Sequence, residues 1–223
     1  MKLLHALALE GNQSKEEKET EVAIYCKIGD MDGLKNCDHQ ESQVQLEGQF
    51  STGTKCRVRS VSVEGKDTQY FFTFKIRGDQ DDGIDSAVEH TVQVDLHFFE
   101  GFKKVAERML VKTRYVFHSK DVTLKIKKDD DDELITIPNI EYEVDVYETE
   151  DGSTSTWCKI DVELDSILDH LDQHHPEVKG IALNIKVNHL PFKPTGAILG
   201  SSVADKDTIA SIWEQFTRKI KDS

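Results

Sequence analysis

The chain of 223 residues is polar for a folded domain, with 37% hydrophobic and 31% charged residues, and its 42 acids exceed its 28 bases for a net charge of −14. That surplus excludes a general nucleic-acid surface, which needs a basic face to displace counterions from phosphates. It leaves open an anionic small molecule met by bases concentrated in one place. No run approaches the ~20 apolar residues of a membrane helix. The short apolar stretch 3–9 is interrupted by His5 and followed at once by Glu10, so no signal peptide is expected. Cys26, Cys37, Cys56 and Cys158 show no CxxC or other metal-binding spacing. A cytoplasmic protein with reduced thiols and no membrane association is expected.

Residues 1–18 read as a flexible lead, and no linker-like break divides the rest. Segments rich in Val, Ile, Thr, Tyr and Phe, separated by Gly, Asp, Asn and Ser clusters, predict strands over 19–27, 43–50, 55–64, 68–77, 87–97, 110–118, 121–127, 133–137, 141–148, 156–164 and 181–188. Helical spacing predicts helices over 98–110, where Phe98, Phe102, Val105, Ala106 and Met109 share a face, over 164–173, and over 206–220 through Ile209, Ile212, Trp213 and Phe216. The acidic run Asp129 to Asp132 is expected at a hairpin tip, solvated and without the Gly and Glu positions of a calcium loop. His170, His174 and His175 read as a solvated helix end, and Trp157 and Trp213 as packing residues.

Several strands place two like charges at i and i+2 around an apolar or neutral residue. The basic pairs are Arg57/Arg59, Lys75/Arg77 and Lys112/Arg114; the acidic ones are Glu19/Glu21, Glu143/Asp145 and Asp161/Glu163. Side chains at i and i+2 lie on one face of a strand. Each pair could simply face water. The interleaved residues are themselves strongly apolar, however: Phe72 and Phe74 flank Thr73, and Tyr142, Val144 and Val146 alternate with Glu143 and Asp145. In a closed barrel the apolar set can face outward beneath helices and the charged set inward around a lumen. Carboxylates there can hold hard divalent cations, and Arg and Lys can grip phosphate oxygens. A metal–polyphosphate complex is the ligand on which both sets meet.

These motifs, in this order, resemble the CYTH superfamily, the triphosphate tunnel metalloenzymes, which include inorganic and thiamine triphosphatases, class IV adenylyl cyclases and fungal or viral RNA triphosphatases. The family's opening ExExK strand is matched in both acids by Glu19-Thr20-Glu21-Val22-Ala23. Its RxR and T-F-K strands are similar to Arg57-Val58-Arg59 and Thr73-Phe74-Lys75. Its KxR strand looks like Lys112-Thr113-Arg114, and its two acidic strands look like Glu143-Val144-Asp145-Val146-Tyr147 and Asp161-Val162-Glu163. Ala23 stands where the motif lysine would be, and 119–139 looks like an inserted hairpin.

The resemblance implies an α+β, mainly antiparallel fold: a closed eight-stranded β-barrel with covering helices, as one domain over 19–223. It implies a divalent-metal-dependent hydrolase, using Mg²⁺ or Mn²⁺, of a triphosphate-containing substrate such as tripolyphosphate, a nucleoside or thiamine triphosphate, or an RNA 5′-triphosphate. Arg57, Arg59, Lys75, Arg77, Lys112 and Arg114 would hold that substrate. Glu19, Glu21, Asp161 and Glu163 would hold metal, and Glu143, Asp145 and Lys75 would take part in catalysis. The alternatives are a non-catalytic nucleotide or polyphosphate binder and an adenylyl cyclase-like enzyme.

Overall fold

The computed structural model describes residues 14–29, 31–50, 54–77, 85–128, 131–164, 173, 194–200, 202, 204–218 and 220. Nine antiparallel strands form one sheet: β1 (Ser14–Ile28), β2 (His39–Gln49), β3 (Lys55–Ser62), β4 (Gln69–Arg77), β5 (Asp85–Val94), β6 (Arg108–Lys128), β7 (Asp131–Glu148), β8 (Thr154–Glu163) and β9 (Pro194–Leu199). A 3₁₀ turn (Asp32–Asn36) follows β1. Helix α1 (Leu96–Lys103) joins β5 to β6, and α2 (Lys206–Phe216) follows β9. The mainly antiparallel α+β class expected from the sequence holds. No helix among the described residues is long and apolar enough to cross a membrane.

The closed eight-stranded barrel does not hold in that form. The strand order is β5-β4-β3-β2-β6-β7-β8-β1-β9, nine strands with β9 at one end, and β1 makes a further ladder with β5. The cause is the length of β1, which at 15 residues is more than one neighbour can cover. Its first half, Ser14 to Glu21, pairs with β5. Its second half pairs with β8 from Glu21 to Lys27 and with β9 from Ile24 to Ile28.

Other boundaries moved too. The strands expected separately at 110–118 and 121–127 are continuous as β6, and those at 133–137 and 141–148 as β7. The hairpin expected at 119–139 is thus the outer end of one long β6–β7 hairpin whose ladder extends from Lys112↔Tyr147 to Lys128↔Asp131. Asp131 and Asp132 therefore lie within β7, opposite Lys128 and Lys127. The helix expected over 98–110 stops at Lys103, because Arg108 and Met109 are taken by β2 at Glu47 and Leu46. Val105, expected on the packed face, is 72% exposed. The helix expected to Lys219–Ile220 stops at Phe216, and Arg218 instead exchanges backbone hydrogen bonds with Met109. The expected strand at 181–188 and nearly all of the expected helix at 164–173 lie outside the described residues.

Alternation sorts the side chains to two faces. On one, Val22, Ile24 and Cys26 of β1 pack with Val162, Ile160 and Cys158 of β8 and with Tyr142, Val144 and Val146 of β7. The Sγ atoms of Cys26 and Cys158, both free thiols, approach to 3.4 Å. Further along the same face, Cys56, Val58 and Phe72 pack beneath α1 through Phe98, Phe99 and Phe102. Asp95 caps α1, its carboxylate accepting from the Phe98 amide at 2.7 Å. Burial of these large apolar residues is the main stabilising term, at roughly 1.5–3 kcal/mol for each fully covered side chain.

Candidate anion-binding face

The opposite face is charged, and the ladder registers show that its members belong together, since directly opposed residues project to the same side. Glu21 faces Glu163 and Tyr25 faces Lys159 across β1–β8. Glu143 faces Asp161, and Asp145 faces Lys159, across β7–β8. Arg114 faces Asp145 across β6–β7, and Gln43 faces Lys112 across β2–β6. Gln45 faces Arg59 across β2–β3, Arg57 faces Thr73 across β3–β4, and Lys75 faces Glu89 across β4–β5. Arg57, Arg59, Lys75, Lys112, Arg114, Glu21, Glu143, Asp145, Asp161 and Glu163 therefore share one side of the sheet. The side chains of Glu19 and Arg77 lie outside the described residues; their backbones both pair with β5 at Ala87.

One end of this face is closed by α2. Ile212, Trp213 and Phe216 pack on Tyr25, Leu110 and Tyr147, which continue the charged rows of β1, β6 and β7. The Trp213 indole N–H donates to the Tyr25 hydroxyl at 2.7 Å, and Phe216 stacks on Tyr147 at 3.9 Å between centroids. Ala23 packs into this cluster. Behind it the Gly200 amide donates to the Ala23 carbonyl at 2.7 Å, and a Cβ on Gly200 would meet the Ala23 Cβ at 3.0 Å. Ala23, where the resembled motif has lysine, is thus a packing residue.

The basic residues are mostly held by acids, as charges removed from water require. Asp145, whose side chain is 1% exposed, takes the Lys112 ammonium at 2.5 Å and the Arg114 guanidinium in a two-point bond at 2.7 and 2.8 Å. Arg114 also contacts Glu143. Arg57 reaches both oxygens of Glu89 at 2.8 Å, and Lys75 stands 3.5 Å from Glu21 and 3.8 Å from Glu89. Arg59 differs. Among the described residues it makes no hydrogen bond or ion pair, and its Nε is buried without a partner. Glu89 and Glu143 favour its charge from a distance, but no carboxylate among the described residues bonds it; a guanidinium fork in that position can take an anion's oxygens.

Protonation equilibria follow from this crowding. Burial, then Arg57 and Arg114, brings Arg59 down to about 10. Burial and Arg114 together bring Lys112 down to about 8 despite the pull of Asp145. Burial works against ionisation of Asp145, yet Arg114 and Lys112 outweigh it and hold the carboxyl well below its usual range. Asp161 goes the other way, raised to about 6 by burial, with Glu21 and Asp145 adding to the effect and Lys159 opposing it. Burial also opposes ionisation of Glu21, but Lys159, Lys75 and Arg57 lower it on balance.

The depressed Lys112 makes a measurable prediction. Its lowered value means that folding suppresses protonation, a cost present below about 8 and relieved as pH rises from there toward 10.5. A polyanion added beside Lys112, Arg114 and Arg59 favours the ammonium. Binding at pH 8 is therefore expected to take up protons, and affinity is expected to fall as pH rises further. Calorimetric titration with tripolyphosphate in two buffers of different ionisation heat reads this directly; equal heats would contradict it.

The acids were expected to hold a divalent cation. Glu21 and Glu163 are hard oxygen donors directly opposed across β1–β8, and the Lys75 and Lys159 ammonium groups stand 3.5 and 3.9 Å from Glu21. Asp161 does not suit a cation, because the Lys159 ammonium already sits 2.6 and 2.7 Å from its two oxygens. Among the described residues, no three His, Cys, Asp or Glu side chains converge as a metal site. Lys159, Glu89, Gln43 and Gln45 were missed as members of this face. Lys159 was detectable, since Lys159, Asp161 and Glu163 alternate in one strand, but its sign breaks the like-charge pattern.

No family model and no curated protein matches the chain. Eight solved chains match it. One is the proposed adenylyl cyclase HpAC1 of Hippeastrum, described as having a dominant triphosphatase activity. It is similar at a TM-score of 0.41 and 12% identity, over 70% of this chain and 87% of that one. At that distance, what the charged face can do rests on its own side chains.

Proposed function

We propose that the charged face binds a triphosphate-containing small molecule together with a divalent cation and hydrolyses a phosphoric anhydride bond. The carrying observation is Arg59: a guanidinium that bonds no acid among the described residues, beside Arg57, Arg114 and Lys112, in a chain whose acids exceed its bases by 14. Such a group is costly in the free protein and is retained where an anion completes it. The succession of like-charge pairs resembling the triphosphate tunnel metalloenzymes supports the same ligand.

In this mechanism Arg59, Arg57, Lys112 and Arg114 bind and orient the phosphate oxygens, Arg by its two-point fork. Lys75, between Glu21 and Glu89, stands on the border of the basic and acidic rows and is placed to follow charge onto the leaving phosphate. Asp145 and Glu143 hold Lys112 and Arg114 in position. Glu21 and Glu163, with Glu19 two residues earlier on β1, are the residues that would hold Mg²⁺ or Mn²⁺. The bound cation would supply charge neutralisation and a more acidic water for in-line attack. Catalysis rests on positioning and electrostatic complementarity without a covalent nucleophile.

A second function, sequestration without turnover, is favoured by Ala23, which packs against α2 where a catalytic cation would be needed. One experiment separates them. Orthophosphate release from tripolyphosphate, ATP and thiamine triphosphate is measured with Mg²⁺ or Mn²⁺, for the parent and for Glu163→Gln. Hydrolysis predicts metal-dependent release that Glu163→Gln reduces by at least about 10-fold, the lower end of the 10–100-fold cost of losing even a residue that only supports a metal ligand. Tight binding with no release from any substrate identifies the sequestering protein, and a cyclic nucleotide product from ATP identifies a cyclase.

A further inference from the structure

The ion pairs of the charged face are of two kinds. Asp145, 1% exposed, holds Arg114 through two guanidinium nitrogens, Nε and Nη2, and also takes the Lys112 ammonium. Arg57 and Glu89 are held more loosely. One nitrogen, Nη2, makes both bonds to the Glu89 carboxylate at 2.8 Å, and the Arg57 side chain is 28% exposed. The two-point edge that a guanidinium can offer a phosphate is therefore not spent on Glu89. The pair joins β3 to β5 across β4, which carries the short Thr73 opposite Arg57 and Lys75 opposite Glu89. The Lys75 ammonium stands 3.8 Å from Glu89, so a second cation is at hand when Arg57 turns away.

We infer that Glu89 is a resident anion, which occupies Arg57 in the free protein and is displaced from it by a phosphate of the ligand. The inference rests on the anion binding proposed above and adds a competitor to it. A partly solvated ion pair is cheap to break, whereas one as buried as that of Asp145 is not. Asp145 thus fixes Lys112 and Arg114 permanently, and Glu89 holds Arg57 exchangeably. A phosphate, whose oxygens can span the two-point edge, replaces a carboxylate held by one nitrogen. Glu89 then passes to Lys75 and is not left unpaired. Its charge keeps Arg57 in place on the empty face at the expense of affinity.

The test is calorimetric titration of the full chain with tripolyphosphate, with chelator and no metal, for the parent, Glu89→Gln, Arg57→Met and the double variant. Glu89→Gln removes the competing charge at nearly constant shape and is expected to tighten binding about three- to tenfold, between the strengths of exposed and buried ion pairs. In the Arg57→Met background the same substitution is expected to change affinity less than about twofold, since no Arg57 is left to release. Unchanged or weaker binding by Glu89→Gln overturns the inference. So does an equal gain in both backgrounds, which marks only the general field of one acid fewer. Should Glu89→Gln fail to fold by thermal melting, Glu89→Asp decides, because the shorter acid keeps the charge and loses reach to Arg57. Tighter binding by it supports the inference, and unchanged or weaker binding overturns it. If neither the parent nor the Glu89 variant binds tripolyphosphate, this inference and the proposed anion site fail together. A parent that binds, with a Glu89 variant that binds no tighter, sinks this inference alone.

Discussion

Asp145→Asn is expected to lower the stability of the free protein by about 3–5 kcal/mol, the range for breaking a buried ion pair by removing one partner. The shape is conserved, so packing loss contributes little. What changes is that Lys112, 5% exposed, and Arg114 lose the carboxylate that holds both. Glu143 retains a contact with Arg114 but is more exposed and has no contact with Lys112. Denaturant unfolding with an unchanged slope measures the loss. Adding Lys112→Met to Asp145→Asn is expected to recover part of it, because the stranded cation is then gone. The pH dependence supplies an independent check. Asp145 is depressed below its usual 3.8, so its contribution is present above that value and is lost as pH falls through it toward the folded value. The variant should lack this part of the acid limb. A loss below about 1 kcal/mol would mean that the carboxylate does not organise the basic row.

Arg59→Met is expected to act in opposite directions on folding and on binding. Without ligand, Arg59 is a partly buried cation with no partner among the described residues, so replacing it by an apolar side chain of similar length should raise stability by about 1–3 kcal/mol. With ligand, the same change removes charge-assisted hydrogen bonds worth about 1.5–3 kcal/mol. That corresponds to a loss of roughly 10- to 100-fold in tripolyphosphate affinity. Calorimetric binding and a thermal melt on one preparation read both effects. A more stable variant that binds less well is the stability–function trade-off of a preorganised site. Unchanged affinity would remove the main support for an anion on this face, whatever the melt shows.

The two faces were legible because strand periodicity is local. Arg57/Arg59, Lys112/Arg114, Glu143/Asp145 and Asp161/Glu163 could each be assigned to one side of a strand from spacing alone, and the interleaved Val58, Val144 and Val162 to the other. The helix over 206–216 was legible for the same reason, through the apolar positions Ile209, Ile212, Trp213 and Phe216. Boundaries were less legible where a distant strand competed for the backbone. Residues 104–109 carry helical spacing, but Arg108 and Met109 gain ladder bonds to β2 that no local pattern announces.

The sequence by itself determined which side chains share a face and that charges of both signs line one of them. Only the tertiary structure decided how those charges meet: Arg57 on Glu89, Asp145 shared by Lys112 and Arg114, Lys159 in place among the acids, and Arg59 bonded by none of the described acids. The tertiary structure also decided that β9 joins the half of β1 that β5 does not cover. The reason is that side-chain alternation depends on neighbouring residues, whereas register and charge pairing depend on which distant strands meet, over separations such as the 132 residues between Cys26 and Cys158.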